Sequence, residues 1–323
     1  MKKKVCCILY NQPGNNALPD ETDVLNQVEY VAENLGKLGM KSYRKGITDD
    51  FMREIPLLAG ERPDFVFNLV ESINNKGELC YFIPALLNMY SIPYTGNSLE
   101  ALFVTTSKAL SNQIMVREGI KIPATYYPSQ FSKLEPGKSY IIKPVWEDGS
   151  LGITKDSVFT YTPGYERNFE GKNDSHWIIQ EYIDGREFNI SILSGMNGPE
   201  VMPPAEMIFH NFDHGMPKIV DFRAKWIEES FEYKNTVREF PHSRLDPMLR
   251  EKIDETALKC WNVFGLRGYA RVDLRVDQAG NPLVIEVNAN PCISPDSGLV
   301  AATIEAGIPM TEVISRIISD LNY

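Results

Sequence analysis

Hydrophobic residues follow two different periods along the first hundred residues. Residues 5–10 form an unbroken apolar run, which is typical of a buried strand in a parallel sheet. Residues 23–38 place apolar side chains at helical spacing, and Gly39 stands where such a helix would end. Residues 41–43 and 64–70 predict two further strands. Strands that alternate with helices predict an α/β layer with parallel strands.

The following residues predict a second region of mixed helix and strand. Its elements are helices over residues 78–90 and 99–119, and strands over residues 124–127, 139–145, 177–183 and 186–193. At 323 residues the chain is long enough for two or three subdomains. The predicted subdomains are residues 1–100, 101–185 and 186–323.

Two β-rich runs near the C-terminus, residues 269–276 and 283–288, are separated by turn-forming residues and predict a hairpin. Because strand side chains alternate between faces, four polar residues can share one face: Arg271, Asp273, Glu286 and Asn288. The positions between them are apolar: Val272, Leu274, Ile285 and Val287. Converging carboxylate and amide oxygens suit Mg²⁺. The alternative is a set of solvent-facing cross-strand charge pairs.

Lysines and a glycine-containing loop are candidates for phosphate contacts. Lys143 ends an apolar strand, and residues 146–152 follow as a flexible loop that contains Ser150. Such a loop can offer backbone N–H groups and a hydroxyl to phosphate oxygens, with the lysine as a point charge. Lys225 is a further candidate. The alternative is an ordinary surface loop with solvated lysines.

The strand that ends near residue 183 offers a second kind of contact. Residues 180–183 precede a turn, and Glu187 follows on the next strand. Backbone groups at the edge of this strand could hydrogen-bond an adenine, and Glu187 could accept hydrogen bonds from ribose hydroxyls. The alternative for Glu187 is an exposed strand carboxylate.

Composition and charge narrow the class of protein. Hydrophobic residues at 43% and charged residues at 24% are ordinary values for a soluble globular protein, so a membrane protein is not indicated. A formal net charge of -10 argues against a nucleic-acid partner. The N-terminal apolar run is too short for a secretory signal. The five cysteines are odd in number and lack zinc-like pairing, so a reducing, cytoplasmic location is expected.

Taken in order, these segments resemble the ATP-grasp superfamily and, within it, the D-alanine–D-alanine ligase family. The resemblance spans nearly the whole chain and rests on the following residues: Tyr94, Thr95 and Gly96 followed by Lys108; Lys143 and Pro144 with the loop to Gly152; residues 180–183 with Gly185, Arg186 and Glu187; Ala224 and Lys225; residues 268–273 (GYARVD); and residues 286–291 (EVNANP).

The resemblance implies an ATP-grasp fold of three subdomains, with ATP between the central and C-terminal ones. It implies ATP contacts from Lys108, Lys143, Ser150, Gln180, Glu181, Tyr182, Ile183, Glu187 and Lys225. It implies two magnesium ions, or manganese, on Asp273, Glu286 and Asn288. Ser150 would contact the reacting phosphates, and Arg271 and the backbone N–H of Cys292 would stabilise an oxyanion.

The implied reaction activates a carboxylate as an acyl phosphate, which an amine then attacks to give a peptide-like bond, ADP and phosphate. Residues 146–152 and the segment near Lys225 would form a lid that excludes water. The implied partners are small amino acid or peptide substrates and a second copy of the chain in a homodimer. With D-alanine as substrate, the place of the enzyme would be in peptidoglycan biosynthesis.

The amino-acid half departs from the family pattern. Residues 11–16 lack the usual glycine-rich turn and glutamate, for which Glu21 or Asp23 are possible substitutes. The other departures are Glu71 and Ser72 for His-Gly, Trp226 for the lid tyrosine, Cys292 for Gly, and Ser297 and Gly298 for Ser-Leu; Glu71 and Ser297 remain substrate candidates. Three readings stay open: D-alanine–D-alanine ligation, ligation of a different amino acid, hydroxy acid or peptide, and a catalytically silent ATP-binding module.

Overall fold

A computed structural model describes residues 3–14, 17–147, 149–165, 169–213 and 215–322, and within these ranges the strands form three sheets. The N-terminal sheet is parallel, in the order β2-β1-β3, with β1 (Val5–Asn11) between β2 (Lys41–Ile47) and β3 (Phe65–Leu69). Its helices are α1 (Pro19–Lys37), α2 (Phe51–Glu61) and α3 (Phe82–Met89). The central strand β1 is buried along Cys6 to Leu9, which explains its unbroken apolar run.

The bounds of two N-terminal helices differ from their predicted bounds for local reasons. Helix α1 begins at Pro19, earlier than predicted, because proline suits a first helical position and the Glu21 carboxylate accepts the Leu18 N–H at 2.6 Å. Helix α3 begins at Phe82 and not at residue 78. Pro84 therefore lies in its first turn, where no intrahelical N–H bond is lost.

The single helical stretch predicted over residues 99–119 is two helices, α4 (Leu99–Thr106) and α5 (Lys108–Arg117). Ser107 has an extended backbone, and its side chain accepts the Leu110 N–H and caps α5. The break places Lys108 at the first position of α5. Its backbone N–H donates to the carbonyl of Val145 at 3.0 Å, so the lysine is fixed beside the strand that carries Lys143.

The central sheet is antiparallel, in the order β4-β7-β5-β6, and is formed by β4 (Thr125–Tyr126), β5 (Ser139–Pro144), β6 (Val158–Thr160) and β7 (Trp177–Glu181). One face of β5 packs Tyr140 and Ile142 into an aromatic core with Phe131 and Phe159. The alternate positions on β5, which include Lys143, line a cleft.

The C-terminal sheet is antiparallel, in the order β11-β10-β8-β12-β13, with β9 paired to β8. Its strands are β8 (Arg186–Leu193), β9 (Glu200–Val201), β10 (Ala205–Phe209), β11 (Thr236–Glu239), β12 (Tyr269–Val276) and β13 (Pro282–Asn288). Its helices are α6 (Phe222–Trp226), α7 (Phe231–Asn235), α8 (Pro247–Val263), α9 (Gly298–Glu305) and α10 (Met310–Ser319). Short 3₁₀ helices cover Gly77–Leu79, Pro128–Lys133, Lys155–Ser157 and His242–Arg244.

The two faces of this sheet differ in character. Helix α8 covers the apolar face, where its Ile253 and Ala257 pack with Val272, Leu274 and other strand residues. The opposite face is polar and lines the cleft. Strands β7 and β8 are joined by a turn in which a Cβ on Gly185 would collide with the carbonyl oxygen of Val276, so the turn requires glycine.

The predicted hairpin of β12 and β13 is present, with one irregularity. Arg271 lies opposite Asn288 and Asp273 opposite Glu286, whereas Leu274 pairs with Val284. Ile285 is therefore an extra residue in a β-bulge. The prediction that Ile285 shares the apolar face was wrong: it lines the cleft, and Val284 occupies the core in its place.

Each sheet lies within one of the three predicted subdomains, although the boundaries at residues 100 and 185 remain predictions. Within the described part of the chain, no helix is long and apolar enough to span a bilayer.

Candidate active site

A cavity of about 480 Å³ lies between the polar faces of the central and C-terminal sheets. The central sheet contributes Lys143 and Gln180 to its lining, and the C-terminal sheet contributes Glu187, Arg271 and Asp273, among others. The two sheets bring together residues more than 100 positions apart in the chain.

Two carboxylates of the hairpin are paired with cations inside this cavity, whereas Asn288 lines the neighbouring cavity described below. Arg271 donates two hydrogen bonds to Asp273, at 2.7 and 2.8 Å, in a bidentate ion pair. The ammonium of Lys108 lies 2.8 Å from Glu286 and also donates to the carbonyl of Glu147 at 2.6 Å. The side chains of Asp273 and Glu286 are 9% and 17% exposed, so these residues are not the solvent-facing pairs of the alternative interpretation.

Burial and charge shift the pKa of several of these groups. Burial alone would raise the pKa of Glu286, but Lys108, Lys225 and Arg271 together outweigh it and hold that pKa well below its usual range. Burial lowers the pKa of Lys143 to about 8, against the opposing attraction of Glu286. Burial also works against the charge of Arg271, but the Asp273 carboxylate raises the pKa of the guanidinium above its ordinary value.

The chemistry of the donor set is compatible with magnesium. Asp273, Glu286 and Asn288 offer hard oxygen ligands on one face, and Asn288 is oriented because its Oδ1 accepts the Asn290 N–H at 2.8 Å. Among the described residues there is no group of three or more His, Cys, Asp or Glu side chains that could hold a metal. Two carboxylates and an amide fit Mg²⁺, which usually completes its shell with water and phosphate oxygens.

Residues 180–183 and Glu187 line the same cavity, as its adenine and ribose end would require. Glu187 is 6% exposed, and Arg275 donates to its Oε2, so it is not an exposed strand carboxylate. Arg275 also donates to the carbonyl of Ile183 at 2.9 Å. Arg275 was not among the predicted site residues, although it continues the alternate positions of Arg271 and Asp273 along the same strand and therefore shares their face.

The two predicted lid segments contact each other. Ser150, with a φ of 67°, donates its hydroxyl to the carbonyl of Val220 at 2.6 Å. Trp226 on α6 donates its indole N–H to the carbonyl of Gly149 at 3.2 Å. The loop is therefore held against α6 and the residues before it, beside the cavity. Its residue 148 lies outside the described ranges.

A second cavity of about 410 Å³ adjoins the first and opens toward the N-terminal sheet. Cys292 and Asp23 line it, and the thiol donates to the Asp23 carboxylate at 3.1 Å. Burial, and then the Asp23 charge, raise the pKa of this thiol, which disfavours the thiolate that a nucleophilic cysteine requires. Its backbone N–H makes no hydrogen bond to any described residue, so it is available to an oxyanion.

The substrate candidates Glu71 and Ser297 both line this second cavity. Glu71 accepts a hydrogen bond from Gln27 at 3.2 Å. Ser297 caps α9, since its hydroxyl oxygen accepts the Val300 N–H at 3.3 Å. Residues 11–14 also face this cavity, whereas residues 15 and 16 of the predicted turn lie outside the described residues.

Comparison with known proteins decides the family. Residues 133–319 match the family model described as the D-ala D-ala ligase C-terminus. The chain belongs to this family. Its ATP-grasp fold and its class, an ATP-dependent ligase that forms carbon–nitrogen bonds, are thereby confirmed.

Individual relatives of this D-alanine–D-alanine ligase-like protein are distant. It is 30% identical over 78% of its length to the uncharacterized protein y4sG of Sinorhizobium fredii, covering 73% of that protein. It is 28% identical to a D-alanine–D-alanine ligase of Thermotoga petrophila, with 91% of each chain covered. A D-alanine–D-alanine ligase of Bacillus anthracis, solved in complex with ATP, has the same fold with a TM-score of 0.73, at 19% identity over 98% of this chain and 96% of the other.

One further residue of the ligase went unpredicted. Arg238, on β11, lines both cavities. Its strand is four residues long and pairs with β10 about 30 positions earlier, so no local pattern indicates that its side chain would reach the site.

Proposed function

We propose that this ligase activates a carboxylate substrate as an acyl phosphate with ATP and joins it to an amine. The observation that carries the proposal is the meeting of Asp273 and Glu286 with four cationic side chains in one cleft: Lys108, Lys143, Lys225 and Arg271. Where these residues meet, four cations face two carboxylates, and such a local surplus of fixed positive charge is what nucleotide phosphates need. It occurs in a chain whose net charge is -10.

The nucleotide would lie along the first cavity. Residues 180–183 would line the adenine, Glu187 would accept ribose hydroxyls, and Lys108 and Lys143 would neutralise phosphate charge. Asp273, Glu286 and Asn288 would hold magnesium or manganese, which when bound would neutralise phosphate charge. Ser150 and Lys225 would contact the reacting phosphates from the lid side.

Arg271 is placed where the two cavities meet, since it lines both of them. Its bidentate pair with Asp273 fixes the guanidinium plane and keeps it charged. Together with the backbone N–H of Cys292, it would stabilise the oxyanion that forms when the amine attacks the acyl phosphate. The contacts of Ser150 and Trp226 close the loop, so water would be excluded from the reactive intermediate.

The second cavity would hold the amino-acid substrates. Asp23 and Glu71 on its wall are suited to a substrate ammonium group, whereas Arg271 and Lys225 lie toward the nucleotide. Relatives named D-alanine–D-alanine ligases make that dipeptide synthesis the first candidate. The altered residues on the cavity wall, Glu71 and Cys292 among them, favour a different amino acid, hydroxy acid or peptide.

The experiment is a measurement of ATP-dependent ADP and phosphate release by the purified chain with pairs of D- and L-amino acids, with the products identified by mass spectrometry. We expect release that depends on both a carboxylate and an amine, and a condensed product with one peptide-like bond. A silent nucleotide-binding module would release no more ADP with any pair than without one, and that result would refute the proposal.

A further inference from the structure

Arg238 is a cation facing the site that none of the roles above requires. Its Nη1 donates to the carbonyl of Asp296 at 3.2 Å, while its Nε is buried and makes no hydrogen bond. Among the described residues, no carboxylate oxygen is in ion-pair contact with its guanidinium. The two other arginines that line the first cavity, the proposed nucleotide cavity, each have a carboxylate partner: Arg271 is paired with Asp273 and Arg275 with Glu187.

The surroundings of Arg238 disfavour its charge. Burial lowers the pKa of the guanidinium, and the neighbouring charge of Arg271 lowers it further, while the Asp296 carboxylate offsets part of this effect. An arginine nevertheless stays protonated in proteins. A half-buried cation that has no carboxylate in ion-pair contact among the described residues and lies beside a second cation favours the binding of an anion.

Its position separates Arg238 from the phosphate end of the site. Strands β10 and β8 lie between β11 and β12, so the backbones that carry Arg238 and Arg271 are roughly 14 Å apart, three strand spacings. Both side chains line the second cavity, which is proposed to hold the amino-acid substrates. At the first position of α9, Gly298 has no side chain, and a Cβ there would lie 3.7 Å from Nη2 of Arg238. Glycine thus leaves space beside the guanidinium.

We infer that Arg238 binds the carboxylate of the amine substrate and so selects acceptors that are amino acids or peptides with a free carboxyl group. The inference rests on the proposed ligase function. The carbonyl under attack would lie at Arg271. In an α-amino acid a single carbon joins the amine to the carboxylate, so an acceptor whose amine reaches that carbonyl directs its carboxylate toward the next cation in the cavity.

A second anion, the transferred phosphoryl group, would also be within reach of Arg238, because this arginine lines the first cavity as well. The transferred phosphoryl group has the same hydrogen-bonding chemistry as a carboxylate. Replacing Arg238 distinguishes the two: a carboxylate contact predicts weaker binding of the acceptor, and a phosphoryl contact predicts weaker binding of ATP.

The test compares wild type, Arg238→Gln and Arg238→Lys with the amino acid that gives the highest turnover in the screen and with its α-amide as acceptors. Arg244→Gln is the matched control, since its side chain is 70% exposed, pairs with Glu239 and lies outside both cavities. We expect Arg238→Gln to raise the acceptor KM roughly ten- to a hundredfold, the effect of losing a charge-assisted hydrogen bond, with a small change in the ATP KM. Arg238→Lys should recover part of the loss.

The α-amide gives the decisive comparison. Wild type should prefer the free acid, and Arg238→Gln should lose that preference, because the charge that distinguishes acid from amide is gone. Equal effects of Arg238→Gln on acid and amide would overturn the inference by showing a packing role, and a rise in the ATP KM alone would overturn it in favour of the phosphoryl group. Absence of ligation by the wild-type chain would instead refute the proposed function.

Discussion

Replacing Glu286 by Gln tests the charge arrangement on which catalysis is proposed to depend. The substitution keeps the shape of the side chain and removes one charge. In the structure it breaks the 2.8 Å ion pair with Lys108 and takes away the attraction that supports the charged form of Lys143. The pKa of Lys143, already lowered to about 8, should fall further. The substitution would therefore weaken both the proposed metal ligand and a proposed phosphate contact.

The size of the effect follows from burial. Removing one partner of a buried ion pair costs about 3–5 kcal/mol. Lys108 keeps its bond to the Glu147 carbonyl, so we expect the free energy of unfolding to fall by about 3 kcal/mol, the lower end of that range. Because natural proteins have roughly 5–15 kcal/mol of stability, the variant should stay folded. Turnover should fall by at least about 10²-fold, as for loss of one preorganised group in a charged transition state.

The assay is ADP release with the amino-acid pair found in the screen, and circular dichroism reports folding. Glu206→Gln is the matched control: Glu206 is a similarly buried strand carboxylate of the same sheet, paired with Arg186 at 2.6 Å but outside the cavities. It should keep a near wild-type rate. Undiminished turnover in Glu286→Gln would refute the assignment of Glu286 to the metal site.

Three further predictions concern single side chains. Because burial lowers the pKa of Lys143, its charge destabilises the folded state below pH 8, so stability should rise between pH 8 and the ordinary lysine pKa of 10.5 while affinity for a non-hydrolysable ATP analogue falls. Calorimetric titration with the analogue between pH 7 and 9.5 measures that affinity, and Lys143→Arg should remove its loss. A wild-type affinity that does not change with pH would contradict the prediction. Trp226→Phe removes the hydrogen bond to Gly149, worth about 1 kcal/mol, and should loosen the lid, so the ratio of phosphate released to product formed should rise; an unchanged ratio would count against the lid. The raised pKa of Cys292 predicts that iodoacetamide at pH 8 leaves it unmodified in the folded protein, as peptide mass spectrometry would show, with the denatured chain as the control.

Much of the fold can be predicted from the local pattern of polar and apolar residues, and the elements that were not predicted were missed for identifiable physical reasons. Strands β8 and β12 were predicted with correct bounds because polar and apolar residues alternate over most of each strand, over 187–192 in β8 and 270–276 in β12. The break between α4 and α5 was not, since Ser107 is compatible with a helix interior and acts as a cap only in context. Helix α8 was not predicted either, although Asp246 before Pro247 is a start signal, because its buried residues begin only at Ile253, well past that signal.

The site shows the same division between local and long-range information. Period two brings Arg271, Asp273, Glu286 and Asn288 together, but it places Ile285 on the wrong face, because a bulge depends on how the paired strand twists and leaves no mark in an alternating sequence. Arg238 reaches the site only through the pairing of two distant strands. The presence of such a residue in the site becomes visible only in the three-dimensional structure.

The ion pairs of the cleft have a further consequence for how nucleotide binding must proceed. Four cations so close together would repel one another, and Asp273 and Glu286 balance part of their charge, holding Arg271 and Lys108 in place before any ligand arrives. The two pairs are not equivalent. Arg271 is fixed by two bonds to Asp273, whereas the Lys108 ammonium is shared between Glu286 and the Glu147 carbonyl. A lysine ammonium on a flexible chain can turn toward a phosphate more readily than a guanidinium held by two parallel bonds. Under the proposed function, such a movement would leave Glu286 available to a metal ion. Binding of ATP should then move Lys108 and leave the geometry of Arg271 unchanged.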